Sequence, residues 1–473
     1  MADSELLLTI PELVDAVDGT CLCNFSPVNG FSSVATDSRK VVTGSLFVPL
    51  IGEFQDGHTY ITRALEAGAS VVLVDSAHSD GCASVFSSLG KQYGACIVSV
   101  EHTLAALQRA AAAYVAKFPG LLKIAVTGSS GKTTTKELLG SIFSVTREVV
   151  MNEGNLNSET GLPLSVFKIK SEHQVGVFEM GMNRRGEISE IASVLNPSLA
   201  LITNIGTAHI GILGTQDAIA EEKKSVFSNF SSDSVGFIPE DDGYANFLST
   251  IPQGRVEFFG FQTTPGFQGF TDNGIEGSII RYEGLDISFP LPGIYNLKNA
   301  LGAISLSRYA GVSPKDIQKG LEQVKPLFGR AEIYRGDVTV MLDCYNANPD
   351  SMESAVSFCR DVSWSGRKVF VLGSMLELGE DSFKEHRKIC SLVSQSGIDS
   401  VYFFGSEIIA AAQSVEWSNI GCVCCSSIDD LSAALEQDIR FGDLVLIKGS
   451  RGMELERVFP VIMHQHKTEP VDE

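Results

Sequence analysis

Eight consecutive residues, Thr127-Gly128-Ser129-Ser130-Gly131-Lys132-Thr133-Thr134, follow an apolar run and open a helical pattern. A strand feeding a glycine-rich turn and then a helix aims successive backbone N–H groups and the positive end of the helix at one point, which suits a phosphate. Lys132 would neutralise phosphoryl charge, and the Thr133 hydroxyl would bind Mg²⁺. The usual G-x-x-x-x-G-K-[ST] pattern asks for Gly at 126, where Val stands, so this is a shorter G-x-x-G-K-T loop.

Other reactive groups stand where apolar runs end. Glu179 closes the run 175–178, and His209 follows 199–203 through Asn204-Ile205-Gly206. Open parallel sheets bind ligands outside the carboxyl ends of their strands, so both could join Thr133 around Mg²⁺, although each alone has an ordinary structural explanation. Asn296 and Asn299 lie one helical turn apart, and paired amides suit a heteroaromatic base; capping by Asn296 explains its position equally well. Asp343, the turn Tyr345-Asn346-Ala347-Asn348-Pro349 and the segment Lys448-Gly449-Ser450-Arg451 also follow apolar runs. Lys448 or Arg451 could pair with a carboxylate, yet surface loops account for these segments as simply. Lys223, within 220–225, reads by itself as part of a solvated helix face.

Three stretches must position these groups. Residues 1–101 mix short apolar runs, 45–50 and 69–74, with Gly and Asp turns, as in a small α/β domain. Residues 102–328 open with a helical pattern over 103–118 and continue as strands near 124–126, 175–178 and 199–203 separated by helical stretches, the signature of a parallel sheet. Residues 254–290 read as short strands and turns, an antiparallel addition. After Gly329 and Arg330, strands at 338–342, 368–372, 401–404 and 444–447 form a second doubly wound unit over 329–473.

Composition bounds the function. A chain of 473 residues exceeds what one core serves, so two or three domains are expected. A net charge of −21 repels nucleic acid and anionic membranes, so an anionic substrate needs a local cluster of cations and N–H groups. An acidic start and the lack of any long apolar run predict a cytoplasmic protein without membrane insertion. The ten cysteines lack paired CxxC spacing and read as reduced thiols rather than zinc ligands.

With those residues in hand, the chain resembles the Mur ligases over nearly its whole length. The resemblance is carried by Thr36-Asp37-Ser38-Arg39, Asp56-Gly57-His58, 127–137, 155–164, Glu179-Met180-Gly181, 204–209, 345–349, 372–379 and 448–451. The nucleotide loop is shared with folylpolyglutamate synthetases, whereas the YNANP and LG-x-MLELG segments point to the branch that adds a dipeptide. The resemblance implies three domains: a small α/β N-terminal one, a central P-loop-type parallel-sheet ATP-binding one and a Rossmann-like C-terminal one. It implies ATP-dependent joining of D-alanyl-D-alanine to UDP-N-acetylmuramoyl-tripeptide through an acyl phosphate, in peptidoglycan precursor synthesis, by a monomer.

By the same resemblance, Ser38, Arg39, Asn157 and Thr160 face the UDP-sugar or peptide, and Asn296, Asn299, Arg330 and Asp343 face the nucleotide. Asn346, Asn348, Lys448 and Arg451 face the dipeptide. Lys223 matches a lysine that the family carbamylates, which would let it ligate a second Mg²⁺ with His209, though Lys224 leaves that assignment open by one residue. The chain departs from the family pattern at Ser158, Gly211, Tyr295 and Ser374. A sister ligase adding one amino acid, a folylpolyglutamate synthetase-like ligase and a non-catalytic ATP-binding scaffold are the competing readings.

Overall fold

The computed structural model describes residues 6–464. The acidic residues 1–5, used above against a leader, lie outside the described residues.

The first sheet has the order Thr20–Asn24, Cys96–Val100, Val71–Asp75, Ser45–Phe47, Ser33–Ala35, parallel except for the first pair. Val71–Asp75 is buried at every position, as a parallel strand covered on both faces must be. Helix Ile10–Val17 starts at a reciprocal cap, in which the Thr9 hydroxyl accepts from Glu12 N–H and the Glu12 carboxylate from Thr9 N–H.

Helix Thr103–Ala116 leads out of this unit, two residues shorter than the pattern suggested. Its Ala106, Leu107, Ala110 and Ala111 share one apolar cluster with Leu8 and Leu13 of the first unit and with Ile188 and Ile191 of the next. The small alanine face lets helices from both sides approach closely, so the two units meet through a common core.

The central sheet is wholly parallel, in the order Arg255–Phe259, Val235–Pro239, Leu199–Ile202, Leu122–Thr127, Val175–Glu179, Val149–Met151. Residues 254–290, read as an antiparallel addition, form such a sheet only over Phe267–Asp272, Ser278–Tyr282 and Leu285–Phe289. Arg255–Phe259 joins the parallel edge because the helix Ala245–Ser249 precedes it, and a helical crossover returns the chain in the same direction.

The third sheet runs Glu332–Tyr334, Thr339–Asp343, Leu444–Lys448, Lys368–Gly373, Ser400–Phe404, Gly421–Cys425, with only its first pair antiparallel. Leu444–Lys448, last in the chain, inserts between the first two parallel strands. It thereby sets Lys448 in register with Asp343 at the carboxyl edge. Among the described residues, no helix is long and apolar enough to cross a membrane.

Candidate active site

The carboxyl edges of the central and third sheets face one another across a cavity of about 670 Å³. Its floor is the turn between strand Leu122–Thr127 and helix Lys132–Phe143. Gly128 and Gly131 have φ of 146° and 80°, values that favour glycine. At Gly131 an added Cβ would lie 2.5 Å from the Asn299 Oδ1, so the amide lies directly against the loop.

The segment after strand Leu199–Ile202 straps this loop. Ser129 N–H donates to the Asn204 carbonyl at 3.0 Å, Ser130 N–H to Asn204 Oδ1 at 3.1 Å, and Gly206 N–H to Ser129 Oγ at 2.8 Å. The strap ends at His209, whose φ is 67°.

Glu179, buried at the end of its strand, accepts from Thr133 Oγ1 at 2.6 Å and from Asn157 Nδ2 at 2.6 Å. Asn152, following the neighbouring strand, exchanges two hydrogen bonds of 2.9 Å with the Glu179 backbone. Sequence reading missed Asn152; it too stands at a strand's carboxyl end, the signal that found Glu179 and His209.

Lys132 Nζ and Lys223 Nζ each donate to the Gly128 carbonyl at 2.9 Å. Burial pushes both ammonium groups below the usual lysine range; the charge of Arg330 adds to this for Lys132 and that of Lys132 for Lys223, while Glu179 opposes it in both. His209 is pushed down to about 3 by burial and then by Lys132 and Lys223, so its ring is neutral. Its Nδ1 is buried without a hydrogen-bond donor or acceptor in line, the Glu377 carboxylate standing 3.4 Å away. Lys223, read from its neighbours as a solvated position, is 1% exposed. Lys224 points elsewhere, donating to the Phe247 carbonyl at 2.7 Å and lying over the Phe247 ring. One step along a helix turns a side chain by about 100°, enough to separate core from surface.

Asn296 is not the cap of its helix. Gly293, with φ 88°, precedes helix Ile294–Tyr309, and Asn296 Nδ2 donates backwards to the Pro292 carbonyl at 2.8 Å, where a cap would accept. Asn296 and Asn299 line one wall with Tyr295, whose buried hydroxyl has no partner.

Across the cavity, Arg330 lies over the Tyr345 ring at 4.2 Å. The buried Lys448 pairs with Asp343 at 2.6 Å, and Arg451 with Glu456 at 2.6 Å. Asn346 lines the same wall and its carbonyl lies 3.4 Å from Lys448 Nζ. Asn348 caps helix Pro349–Asp361 through Oδ1 and gives Nδ2 to Ser130 Oγ at 3.0 Å, so both ends of its amide are engaged within the protein. Gly211 abuts the Glu377–Gly379 backbone, and any side chain there would collide with it. That contact favours glycine at 211, one of the positions where the chain departs from the family pattern.

Ser38 and Arg39, in the short turn Ser38–Lys40, and Thr160, before helix Gly161–Val166, do not line the cavity; Asn157 does. Arg39 is exposed and bound to Asp37 at 2.7 Å. Among the described residues one His and Asp group could hold a metal, Asp56 with His58 and His78. It belongs to the first domain, and the Asp56 carboxylate is already shared by both rings, at 2.7 and 2.6 Å. Both His58 nitrogens are also engaged, Nδ1 with Asp56 and Nε2 accepting from Asp75 N–H at 3.0 Å.

A glycine loop between two sheet edges, with a carboxylate and an imidazole at or after strand ends, a hydroxyl and a lysine opening the next helix and a second lysine on helix Gln216–Lys224, is the arrangement of a nucleotide-dependent enzyme. Family comparison agrees: the Mur ligase middle domain matches residues 126–307, the glutamate ligase domain 329–451 and the Mur ligase catalytic domain 31–115. The chain belongs to the Mur ligase family.

Within that family it is similar to UDP-N-acetylmuramoyl-tripeptide–D-alanyl-D-alanine ligase of Treponema pallidum, 46% identical over 464 residues that cover 97% of this chain and 99% of that one. The enzyme of the same name from Bacillus subtilis is 33% identical, with 95% and 97% covered. Among solved structures, MurF from Acinetobacter baumannii matches with a TM-score of 0.84 at 27% identity, over 96% of this chain and 98% of that one. MurF from Thermotoga maritima in complex with ADP matches at 0.77 and 27% identity, over 92% and 97%.

Proposed function

We infer that the chain is an ATP-dependent ligase that joins D-alanyl-D-alanine to UDP-N-acetylmuramoyl-tripeptide. What carries this reading is the buried group of Lys132, Thr133, Glu179 and Lys223 around the glycine loop, facing a third domain, in a chain alike end to end to ligases of that name.

A carboxylate is a poor electrophile, so the γ-phosphoryl group first passes to the terminal carboxylate of the tripeptide, forming an acyl phosphate and ADP. The free amine of the dipeptide then attacks the acyl carbon, phosphate leaves, and the nitrogen loses its proton as the amide forms. The loop N–H groups and Lys132 meet the charge on the transferred phosphoryl, largely by positioning and electrostatics.

Thr133, Glu179 and His209 are the residues that would hold Mg²⁺. The hard oxygens of Thr133 and Glu179 and the neutral imidazole fit a small divalent cation. When bound, Mg²⁺ would neutralise phosphate oxygens. Lys223 is suited to carbamylation, because its lowered pKa leaves more free amine to add to CO₂. The carbamate, formed with loss of a proton, would replace a cation crowded by Lys132 with an anion able to share a second Mg²⁺ with His209.

We assign Ser129, Ser130, Gly131 and Thr134, with the Thr127 and Gly128 backbone, to the phosphates, and Asn296, Asn299, Arg330 and Asp343 to the rest of the nucleotide. Ser38, Arg39, Asn157 and Thr160 are assigned to the UDP-sugar side, and Asn346, Asn348, Lys448 and Arg451 to the dipeptide side. Lys448 is held in place by Asp343, and Arg451, half exposed at the rim, offers its guanidinium to the dipeptide carboxylate. We divide the chain at 101/102 and 328/329 into sugar-binding, ATP-binding and dipeptide-binding domains. We place the enzyme in the cytoplasm with its ATP, working as a monomer.

The test is phosphate release with Mg-ATP and UDP-N-acetylmuramoyl-tripeptide, offering D-alanyl-D-alanine, D-alanine, L-alanine, D-glutamate or diaminopimelate. Release with the dipeptide alone, and a product heavier by one dipeptide, is expected. Release with a single amino acid and its matching shorter precursor would move the chain to a sister ligase; no release from any pair would leave a nucleotide-binding scaffold.

A further inference from the structure

We propose that Asp350 is a positioning residue for phosphoryl transfer: from the third domain it holds the strap that braces the phosphate loop and carries His209. Asp350 sits in the first turn of helix Pro349–Asp361. Its Oδ2 accepts from Thr207 N–H at 2.7 Å and from Thr207 Oγ1 at 3.0 Å. Gly206 makes the approach possible, since any side chain there would strike the Asp350 carboxylate.

Thr207 lies between two parts of the machinery. On one side, Asn204 and Gly206 are bonded to Ser129 and Ser130 of the phosphate loop. On the other, two residues on, His209 is held in a left-handed backbone conformation, unfavourable for a residue with a Cβ and kept only where its surroundings enforce it. Asp350 reaches Thr207 from a different sheet's domain, so its two bonds form only when the third domain is docked. The contact thus couples docking to the placement of His209. Asn204 and Gly206 keep their own bonds to the loop without Asp350, so ADP held by the loop loses little when the contact is removed.

The chemistry of the contact sets the test. Both hydrogen bonds end on a single oxygen, so an amide oxygen at the same place replaces the carboxylate, whereas alanine removes the acceptor. The inference rests on the ligase reading above.

Wild-type, Asp350→Asn, Asp350→Ala and Thr207→Val proteins are compared for phosphate release with the full substrate set, and for ADP affinity by calorimetry. In Asp350→Ala, kcat is expected to fall about tenfold to hundredfold, the scale of a displaced catalytic group, with ADP affinity within about twofold of wild type. Asp350→Asn should recover most of the rate. Thr207→Val, which loses one bond and keeps the backbone N–H, should fall severalfold and add little in the Asp350→Ala background.

An Asp350→Ala kcat within about twofold of wild type, an Asp350→Asn defect equal to that of alanine, or an equal loss of ADP affinity would overturn the inference. Should Asp350→Ala not fold, an unchanged Thr207→Val rate would overturn it. A wild-type protein that is itself inactive removes the ligase reading and this inference with it; an active wild type beside unaffected variants removes this inference alone.

Discussion

Replacing Gly131 by Ala tests the nucleotide loop at its tightest point. The residue has φ 80°, where a Cβ costs about 1–2 kcal/mol. The new Cβ would also lie 2.5 Å from Asn299 Oδ1, 2.8 Å from Nδ2 and 3.0 Å from Cγ, against a side chain that is 8% exposed and has little room to retreat. Forcing a buried amide off its rotamer adds roughly 0.5–1.5 kcal/mol, so the total spans about 1.5–3.5 kcal/mol and centres on about 2–3 kcal/mol. If the loop keeps its shape, the strain lowers stability, by roughly 5–10 °C in melting temperature for a domain of this size. If the loop relaxes, its N–H groups leave their aim and the same energy raises the Kd for ATP roughly 30-fold to 150-fold. Calorimetric melting and ATP titration, measured together, should account for the total between them. Gly120→Ala, which meets nothing within 4 Å, is the control and should change neither. A Gly131→Ala protein that melts within about 1 °C of wild type and binds ATP within about twofold would refute the argument.

Three other outcomes follow from the same site. Lys132→Ala should abolish phosphate release without lowering the melting temperature, since it also removes a cation crowding Lys223 and His209; retained turnover would remove the phosphate-loop assignment. Lys223→Ala should lose turnover while Lys224→Ala keeps it, because only Lys223 reaches the Gly128 carbonyl; equal losses would contradict the division between them. In the first domain, burial raises the Asp56 carboxyl, but hydrogen bonds from His58 N–H and from the His58 and His78 rings outweigh it and hold the group at about 2. A lowered carboxyl stabilises the fold above its ordinary pKa of 3.8 and loses that contribution as pH falls toward about 2. Wild type should therefore exceed Asp56→Asn in urea midpoint at neutral pH, and the gap should close across that acid window; a gap independent of pH would mean that titration of Asp56 is not its source.

Much of the molecule is legible before it folds. Loop 127–134 declares itself because strand, glycines and helix start are local in sequence. Glu179 and His209 are found by one rule, that parallel sheets gather ligands at their carboxyl ends. Apolar runs in the third unit mark its four inner strands, but the half-exposed edge strands Glu332–Tyr334 and Gly421–Cys425 lack such runs of large apolar residues and do not declare themselves. The edge strand Arg255–Phe259 was misjudged because a short strand's direction depends on what connects it to its neighbour, and the five-residue helix Ala245–Ser249 is a weak local signal.

The amino-acid order by itself settles residue types, the alternation of strands and helices, and the chemistry offered at strand ends, since these depend on neighbours a few positions away. Tertiary packing alone decides between Lys223 and Lys224, which differ only by the turn of a helix. It commits Lys448 to Asp343 and Asn348 to Ser130, and it turns Asn296 from a helix cap into part of a cavity wall. It also brings Asp350 to Thr207 across 143 positions of chain. Such pairings are made by the docking of one sheet's edge against another's, and no local pattern encodes the distance between groups that meet only when three domains close on one another.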